Sequence, residues 1–302
     1  MNAQTKLSPA CKACGSQARY IFSSTDKNRR LSKQVFDYFC CNFCGVIFID
    51  PIPLDLSVYY ANGYYLLPQS VEKLDALANG LIYQLDMVRQ FNPKGKLLEI
   101  GPAYGAFARL AKLYGYEVET IEMDEKCCDY LENVAGVGVV RSDKPEQVLP
   151  SLEKKDVIVM WHVIEHLPDP WEVLVKAVET LLPEGLLAIA SPNPSAFQFR
   201  ILRSYWPHLD APRHLQLIPA DLLISRLEPL GLEPILLTST DAGGRSWNVF
   251  GWRKTLQNFF PAPSLQLPMR ALGSLISLAM YPLENFHLNG STYSIVFRKK
   301  KV

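Results

Sequence analysis

Residues 97–105 read Leu-Leu-Glu-Ile-Gly-Pro-Ala-Tyr-Gly, and no other stretch of this chain limits its fold as tightly. Leu97 to Ile100 is a short apolar run holding one acid, which fits a buried strand. Gly101 and Gly105 bracket a tight turn, and Ala106 to Tyr114 is a good helix sequence. Strand, glycine turn and helix start bring backbone N–H groups and a positive helix end to one point. The spacing therefore predicts a cradle in which a ligand approaches the backbone closely at a glycine.

Tyr116 to Met123 alternates and carries Glu122 near its end. An acid at the end of the second strand, about 20 residues past the turn, is where a nucleotide ribose is held by its hydroxyls. The turn lacks the G-x-G-x-x-G spacing of a dinucleotide site, and no Gly-Lys-Ser/Thr follows to make a phosphate loop. Glu99, two residues before Gly101, repels a pyrophosphate and suits a cation. A sulfonium with an amino-acid tail and a ribose, S-adenosylmethionine, meets all of these conditions.

On these residues the chain resembles the class I S-adenosylmethionine-dependent methyltransferases, whose first motif runs acid-x-Gly-x-Gly-x-Gly. Here it is Glu99-Ile100-Gly101-Pro102-Ala103-Tyr104-Gly105, with Ala103 at the middle glycine. A methyl at that position disfavours positive φ, so the turn is expected to be kept but tightened. The resemblance implies an α/β fold: a Rossmann-like, doubly wound, seven-stranded sheet with its last strand antiparallel. It implies that Glu99, Gly101, Ala103 and Gly105 hold the methionine end, Glu122 the ribose and Asp143 the adenine amine. Trp161 joins them as a cofactor contact.

Composition agrees with a globular enzyme. The chain has 302 residues, 48% hydrophobic content and a net charge of +1, so there is core enough and no nucleic-acid signal. Met1 to Pro9 has no apolar stretch, and no run of about 18 apolar residues occurs, so a cytoplasmic location is expected. Strands are expected at 117–122, 137–140, 156–160, 186–190, 233–240 and 292–298. Helices are expected at 71–91, 127–133, 171–182 and 220–230. Cys127 and Cys128 read as buried thiols.

Cys11-Lys-Ala-Cys14 and Cys41-Asn-Phe-Cys44 are two matched Cys-x-x-Cys pairs, each followed by a glycine. Four thiolates at this spacing close a tetrahedral site that Zn²⁺ prefers. A small N-terminal four-cysteine zinc ribbon over residues 1–52 is expected, with strands at 19–23 and 35–40. Cys40 is an extra thiol, and spacing favours Cys41. Lys27, Arg29, Arg30 and Lys33 read as a solvated loop tip. Residues 53–94 are then a linker and helix, with Tyr59, Tyr60, Tyr64 and Tyr65 either lining an entrance or packing. Residues 95–302 form the methyltransferase domain.

Trp161-His-Val-Ile-Glu165-His166-Leu-Pro-Asp169-Pro170 is similar to the Glu-Val-x-Glu-His-x-x-Asp-Pro segment of the ubiquinone-biosynthesis O-methyltransferases, with His162 at the first Glu. In that family the acid and histidine hold a divalent metal or act as base. The resemblance makes His162, Glu165 and His166 acceptor-side catalytic candidates. Arg213-His214-Leu215 adds His214 through a second shared pattern. His162-x-x-Glu165-His166 also spells the inverted zinc-peptidase motif, which requires a helix.

Two inserts remain. Residues 195–212 carry Phe197, Phe199, Tyr205, Trp206 and His208, suited to a planar or lipid-like acceptor. Residues 241–291 include the apolar stretch Ala271 to Leu283, which suits a packed cap, a lid, a dimer face or a membrane-surface helix. The expected function is methyl transfer from S-adenosylmethionine to a small-molecule acceptor, first by O-methylation. C-methylation of a nucleotide-linked sugar, suggested by the ribbon, is the alternative. Rival classes are a degenerate cofactor-binding scaffold and a nucleic-acid methylase. The last lacks the Asn/Asp-Pro-Pro-Tyr/Phe motif.

Overall fold

Three short antiparallel strands lead the chain: β1 (Ala18–Ser24), β2 (Phe36–Cys41) and β3 (Ile47–Ile49). The computed structural model describes residues 8–60 and 64–301, so the Ala61–Gly63 part of the tyrosine-rich linker and most of Met1–Pro9 lie outside the described residues. The helical stretch expected over 71–91 is two helices, α1 (Val71–Asn79) and α2 (Ile82–Arg89). Gly80 interrupts it, because glycine holds a helix poorly.

A strand with consecutive buried apolar residues needs cover on both faces. That is the setting of β4 (Lys96–Ile100), which is followed by α3 (Ala106–Leu113) and β5 (Glu117–Glu122). Next come α4 (Glu125–Tyr130), β6 (Gly138–Arg141), α5 (Pro145–Val148), β7 (Lys155–Trp161) and α6 (Pro170–Thr180). α4 starts two residues earlier than expected, because the Asp124 side chain accepts the Cys127 amide at 2.9 Å and caps it. β8 spans Leu181–Pro192, well beyond the expected 186–190. Pairing with strands on both sides carries it through the Pro-Glu-Gly segment, with Glu184 in the left-handed region at φ 63°.

The remaining elements are α7 (Phe197–Leu202), β9 (Gln216–Leu217), α8 (Ala220–Leu227), β10 (Leu232–Thr238), α9 (Ala242–Phe259), α10 (Gln266–Glu284) and β11 (Thr292–Lys299). The main sheet has seven strands in the order β10-β11-β8-β7-β4-β5-β6. β4 to β8 are parallel, and β11 runs antiparallel to both β8 and β10, as expected for the fold. One face is covered by α1, α2 and α3 through Leu74, Leu85, Phe107 and Leu110. The other is covered by α6 and α8 through Leu174, Val178, Leu223 and Leu227. Strand order reverses between β4 and β7, which opens a crevice at their carboxyl ends.

The ribbon is built into this body. Its sheet runs β1-β2-β3-β9, so the fourth strand comes from residues just past His214. A separate core joins Phe36, Tyr38, Ile47 and Ile49 to Phe199, Trp206 and Leu209. The large aromatics of the 195–212 insert, Phe199 and Trp206, are thus used to seat the ribbon, not to face an acceptor. Beside that core lies a buried ion cluster. Arg213 donates to Asp26 Oδ1 at 2.8 Å and to the two Asp210 oxygens at 2.7 and 2.8 Å. Burial alone would raise the Asp210 carboxyl, but the Arg213 guanidinium, together with His214 and the Asn28 amide, holds it well below the usual carboxylate range.

Removing Arg213 would strand two carboxylates in the interior. Arg213→Ala should lose about 3–5 kcal/mol of stability, read from the shift of the urea midpoint. A loss no larger than that of a surface change, about 0.5 kcal/mol, would show that the cluster does not hold the ribbon to the sheet.

Candidate active site

The motif turn takes the left-handed conformation three times: Gly101 at φ 69°, Ala103 at φ 52° and Gly105 at φ 79°. Ala103 thus adopts the glycine-like conformation that its methyl disfavours. The Glu122 side chain holds it there, with Oε2 accepting the Ala103 N–H at 2.9 Å. Glu122 Oε1 accepts the amides of Met123 and Asp124 at 2.8 and 2.9 Å. Burial raises the Glu122 carboxyl above its ordinary value, and these three amides offset part of that rise. The acid expected at the ribose therefore also clamps the motif turn to the end of β5.

Positive φ at Gly101 and Gly105 matches the expected glycine turn, and packing adds a second reason. A Cβ on Gly105 would meet Leu131 Cδ2 at 2.4 Å, and one on Gly101 would meet Val163 Cγ2 at 2.8 Å. A side chain at either position would have to displace Leu131 or Val163, independently of any ligand. Glu99 is buried on the α3 face of the sheet, and its Oε2 has no hydrogen-bond partner among the described residues. Burial pushes its carboxyl up to about 8, against the Ala108 amide in the first turn of α3 and with a further push from the Glu122 charge. Trp161 ends β7 beside Phe107, ring centroids 5.3 Å apart, and its indole N–H is also buried without a partner among the described residues. One bare acceptor and one bare donor beside a helix start fit the ammonium and carboxylate of an amino-acid tail. Asp143 is exposed in the turn after β6, on the same sheet edge as Glu122. Two surface hollows of about 460 and 470 Å³ lie elsewhere, against α2 and at the amino ends of β4 to β7, away from these residues.

On the other side of the crevice, four of the chain's five histidines converge. The segment 162–166 is a turn between β7 and α6, not a helix, so the peptidase geometry is absent. His162 sits at φ 59°, a strained conformation of the kind found at functional sites. Its Nδ1 is 3.3 Å from Glu165 Oε1, and its ring packs on Trp247 at 5.3 Å. Glu165 is fully buried and accepts the Ser191 hydroxyl at 3.1 Å. Burial works to raise its carboxyl, yet His162, with His214 and His166 beyond it, brings it down to about 2. His166 and His214 stand edge to face at 4.7 Å.

Backbone carbonyls decide which imidazole nitrogens carry protons, because a carbonyl only accepts. His166 Nδ1 lies 3.0 Å from the Arg213 carbonyl, His214 Nδ1 lies 2.8 Å from that of His208, and His208 Nε2 lies 3.1 Å from that of Trp247. Burial keeps the His166 and His208 rings neutral, so the opposite nitrogen of each of those two is left with a free lone pair. Burial, followed by the His214 charge, drives His166 down to about 4, so it is neutral at pH 7. One ligand atom each from Glu165, His166 and His214 lie within 4.8 Å of one another, a set that could hold a divalent cation.

Two contacts were not foreseen from the sequence. The Tyr60 hydroxyl is 2.9 Å from His166 Nδ1, and Tyr60, Tyr64 and Tyr65 stack edge to face in series at 4.8 Å. Tyr65 feels the Glu122 carboxylate, so this ladder runs from the histidine cluster toward Glu122. Trp247 on α9 is the other, and nothing local marked it. A faint signal existed for His208, since four histidines crowd into residues 162–214.

At the N-terminus, Cys11, Cys14, Cys41 and Cys44 gather their sulfurs within 4.8 Å, and Cys40 stays outside the group. Cys11 and Cys44 Sγ are 3.6 Å apart, and Cys14 and Cys41 Sγ are 3.4 Å apart. A tetrahedral thiolate site with bonds of about 2.3 Å has edges of about 3.8 Å, so this donor set fits zinc. Gly15 at φ 76° and Gly45 at φ 74° supply the knuckle turns. The knuckles reach the main body through Arg226, which donates to the Ala13 carbonyl.

Ala103 offers a direct test of the turn. Ala103→Gly removes the Cβ strain at φ 52° and should stabilise the chain by about 0.5–1 kcal/mol in thermal melts. A loss of stability would show that the left-handed turn is not the resting conformation.

Comparison with known proteins agrees with this architecture. A family profile described as a methyltransferase domain matches residues 77–237. A ubiquinone biosynthesis O-methyltransferase of Cereibacter sphaeroides is 27% identical over 124 residues, covering 39% of this chain and 48% of the relative. The chain thus spans about half the length of the curated relatives it matches. Among solved structures, an S-adenosylmethionine-dependent methyltransferase from Archaeoglobus fulgidus superposes with a TM-score of 0.51 at 18% identity, covering 75% of this chain and 94% of that one. Another, from Thermotoga maritima, gives a TM-score of 0.50 at 16% identity, covering 80% and 97%. With the sheet order, the motif turn and the profile in agreement, the chain belongs to the methyltransferase-domain family and has the class I S-adenosylmethionine-dependent methyltransferase fold.

Proposed function

We propose that this protein transfers a methyl group from S-adenosylmethionine to a small-molecule acceptor, by O-methylation. The observation that carries the reading is the switch-point crevice, with the Glu99–Glu122 turn on one side and the histidine–Glu165 cluster on the other. Glu99 and Trp161 would hold the amino-acid tail, and Glu122 the ribose. S-adenosylmethionine supplies an electrophilic methyl on a sulfonium, so the protein's task is to orient the acceptor and take its proton. Neutral His166 offers Nε2 to an acceptor hydroxyl, and Tyr60 with the Arg213 carbonyl fixes the ring. Ionised Glu165 nearby favours the imidazolium that forms. The curated O-methyltransferase relatives support an oxygen acceptor.

A second reading has one specific observation in its favour. Glu165, His166 and His214 form a two-imidazole, one-carboxylate set that would bind a divalent metal at the acceptor. Loss of turnover on chelation, with restoration by the metal, would favour it over proton transfer to His166. The cluster of Cys11, Cys14, Cys41 and Cys44 is proposed to hold a structural zinc ion that staples the ribbon.

Calorimetric titration with S-adenosylhomocysteine tests the cofactor site, with zinc assayed on the same sample. Micromolar binding is expected, lost in Glu122→Ala, with one zinc per chain. Glu99 adds a sign that can be checked. Its folded pKa of about 8 exceeds its ordinary value, so the carboxyl is protonated at pH 7, and its contribution to stability falls as pH rises from about 4.5 to 8. A cation brought to Oε2 ionises it and expels a proton. The binding enthalpy at pH 7 should therefore track the buffer's ionisation enthalpy, and Glu99→Gln should abolish that dependence. A well-folded, zinc-loaded chain that binds nothing would end the methyltransferase reading. For turnover, His166→Ala should lower kcat by about 10²–10⁴ with product affinity unchanged.

A further inference from the structure

α9 and α10 form an antiparallel hairpin, and the two helices cross closely at Gly273, where a Cβ would come within 2.6 Å of the Arg253 Cα. Only Gly273, Ser277 and Glu284 of α10 are buried, so the helix turns the rest of its surface outward. That surface is an apolar stripe at helical spacing, Leu267, Leu272, Leu275, Leu278 and Leu283, with exposed Phe286 just past the helix end. Leu267 is 76% exposed and Leu278 72%. The hairpin tip continues it with exposed Phe259, Phe260 and Leu265. A monomer rarely leaves this much contiguous apolar surface in water.

The exposed charges of the hairpin are basic: of its two flanking acids, Asp241 caps α9 and Glu284 is buried within α10. Residues 242–283 contain Arg245, Arg253, Lys254 and Arg270 and no acid. The basic ribbon loop sits against the hairpin tip. The Arg30 guanidinium donates to the Asn258 carbonyl at 3.0 Å, and Asn258 pairs with Asn28 at 3.3 Å. Tyr205 stacks on Phe259 at 4.8 Å, and the Lys27 ammonium lies 4.8 Å from the centre of the tyrosine ring. Arg29 and Lys33 are exposed in the same loop, next to exposed Leu31, and its one acid, Asp26, is buried against Arg213. With a net charge of only +1 for the whole chain, this is a local concentration of positive charge.

We infer that the α10 face and the basic ribbon loop together dock the protein on an anionic lipid bilayer. No helix is long and apolar enough to cross a membrane among the described residues, so α10 lies in the interface plane with its leucines in the acyl boundary. The exposed basic side chains of the hairpin and loop select this occupant. Two copies meeting face to face through the stripe would bring like charges together, whereas acidic headgroups complement them. The two parts of the footprint come from opposite ends of the sequence, and the Asn28–Asn258 and Tyr205–Phe259 contacts bring them to one side of the molecule.

Flotation with phosphatidylcholine vesicles, with and without phosphatidylglycerol, tests the proposal on the full chain. Binding is expected only when phosphatidylglycerol is present, and it should weaken as salt is added. The double variant Leu275→Glu/Leu278→Glu should abolish binding. Lys33→Glu and Arg270→Glu should each lower partitioning about fivefold or more. All these side chains are exposed, so unchanged melting curves serve as the folding control. Absence of vesicle binding by wild-type protein that melts cooperatively would overturn the proposal. So would a concentration-dependent dimer in sizing experiments that Leu275→Glu/Leu278→Glu makes monomeric, since the occupant would then be a second copy. Both results leave cofactor binding unaffected and are thus separable from the methyltransferase reading.

Discussion

Arg213 holds three parts of the molecule together. Its side chain is fully enclosed by Asp26 of the ribbon loop and Asp210 of the aromatic insert. Its carbonyl receives the His166 ring, and the next residue is His214. A guanidinium with two carboxylates can be buried only when its planar fork is filled, and this arrangement fills it. The ribbon, the insert and the histidine cluster are therefore oriented through one residue.

The segment that follows extends this link through the backbone. Leu215 and Gln216 give their amides to the Glu165 carbonyl at 2.7 and 3.3 Å, and the Ile49 amide on β3 reaches the Leu215 carbonyl at 3.0 Å. Hence the cysteine knuckles, the ribbon sheet and the backbone of the 162–166 turn form one continuous hydrogen-bonded path. A four-cysteine ribbon with little core of its own gains a core from Phe199 and Trp206, and in return it supports the loop that carries Glu165.

On the cofactor side, the compensating element is Glu122. A position that favours glycine holds alanine, and a buried carboxylate takes up the amide of that strained residue. This puts the departure at Ala103 in physical terms: the left-handed turn is retained because its N–H has a charged acceptor. The glycines at 101 and 105 answer to Val163 and Leu131, so their absence of side chains reflects packing as much as any ligand.

Local features legible in the sequence were those that depend on a few neighbours in the chain. The strand–turn–helix at 97–113, the strand ending at Glu122 and the two cysteine knuckles belong here, because backbone preference, strand periodicity and thiolate spacing act over short distances, whereas the seven-stranded sheet was implied by the resemblance to the methyltransferases. What only the tertiary structure decided were relations between distant segments. The pairing of β3 with β9 rests on a two-residue strand too short to leave a pattern. The Tyr60–His166 bond spans 106 positions, and the Arg213–Asp26 pair spans 187. α9 went unforeseen because it has no clear apolar stripe, and Trp247 reaches the histidines only because α9 packs across the mouth of the sheet. Burial set the protonation of Glu99 and His166, while the surrounding histidines kept Glu165 ionised against its burial; both burial and those neighbours are properties of the assembled fold that no single stretch of sequence carries.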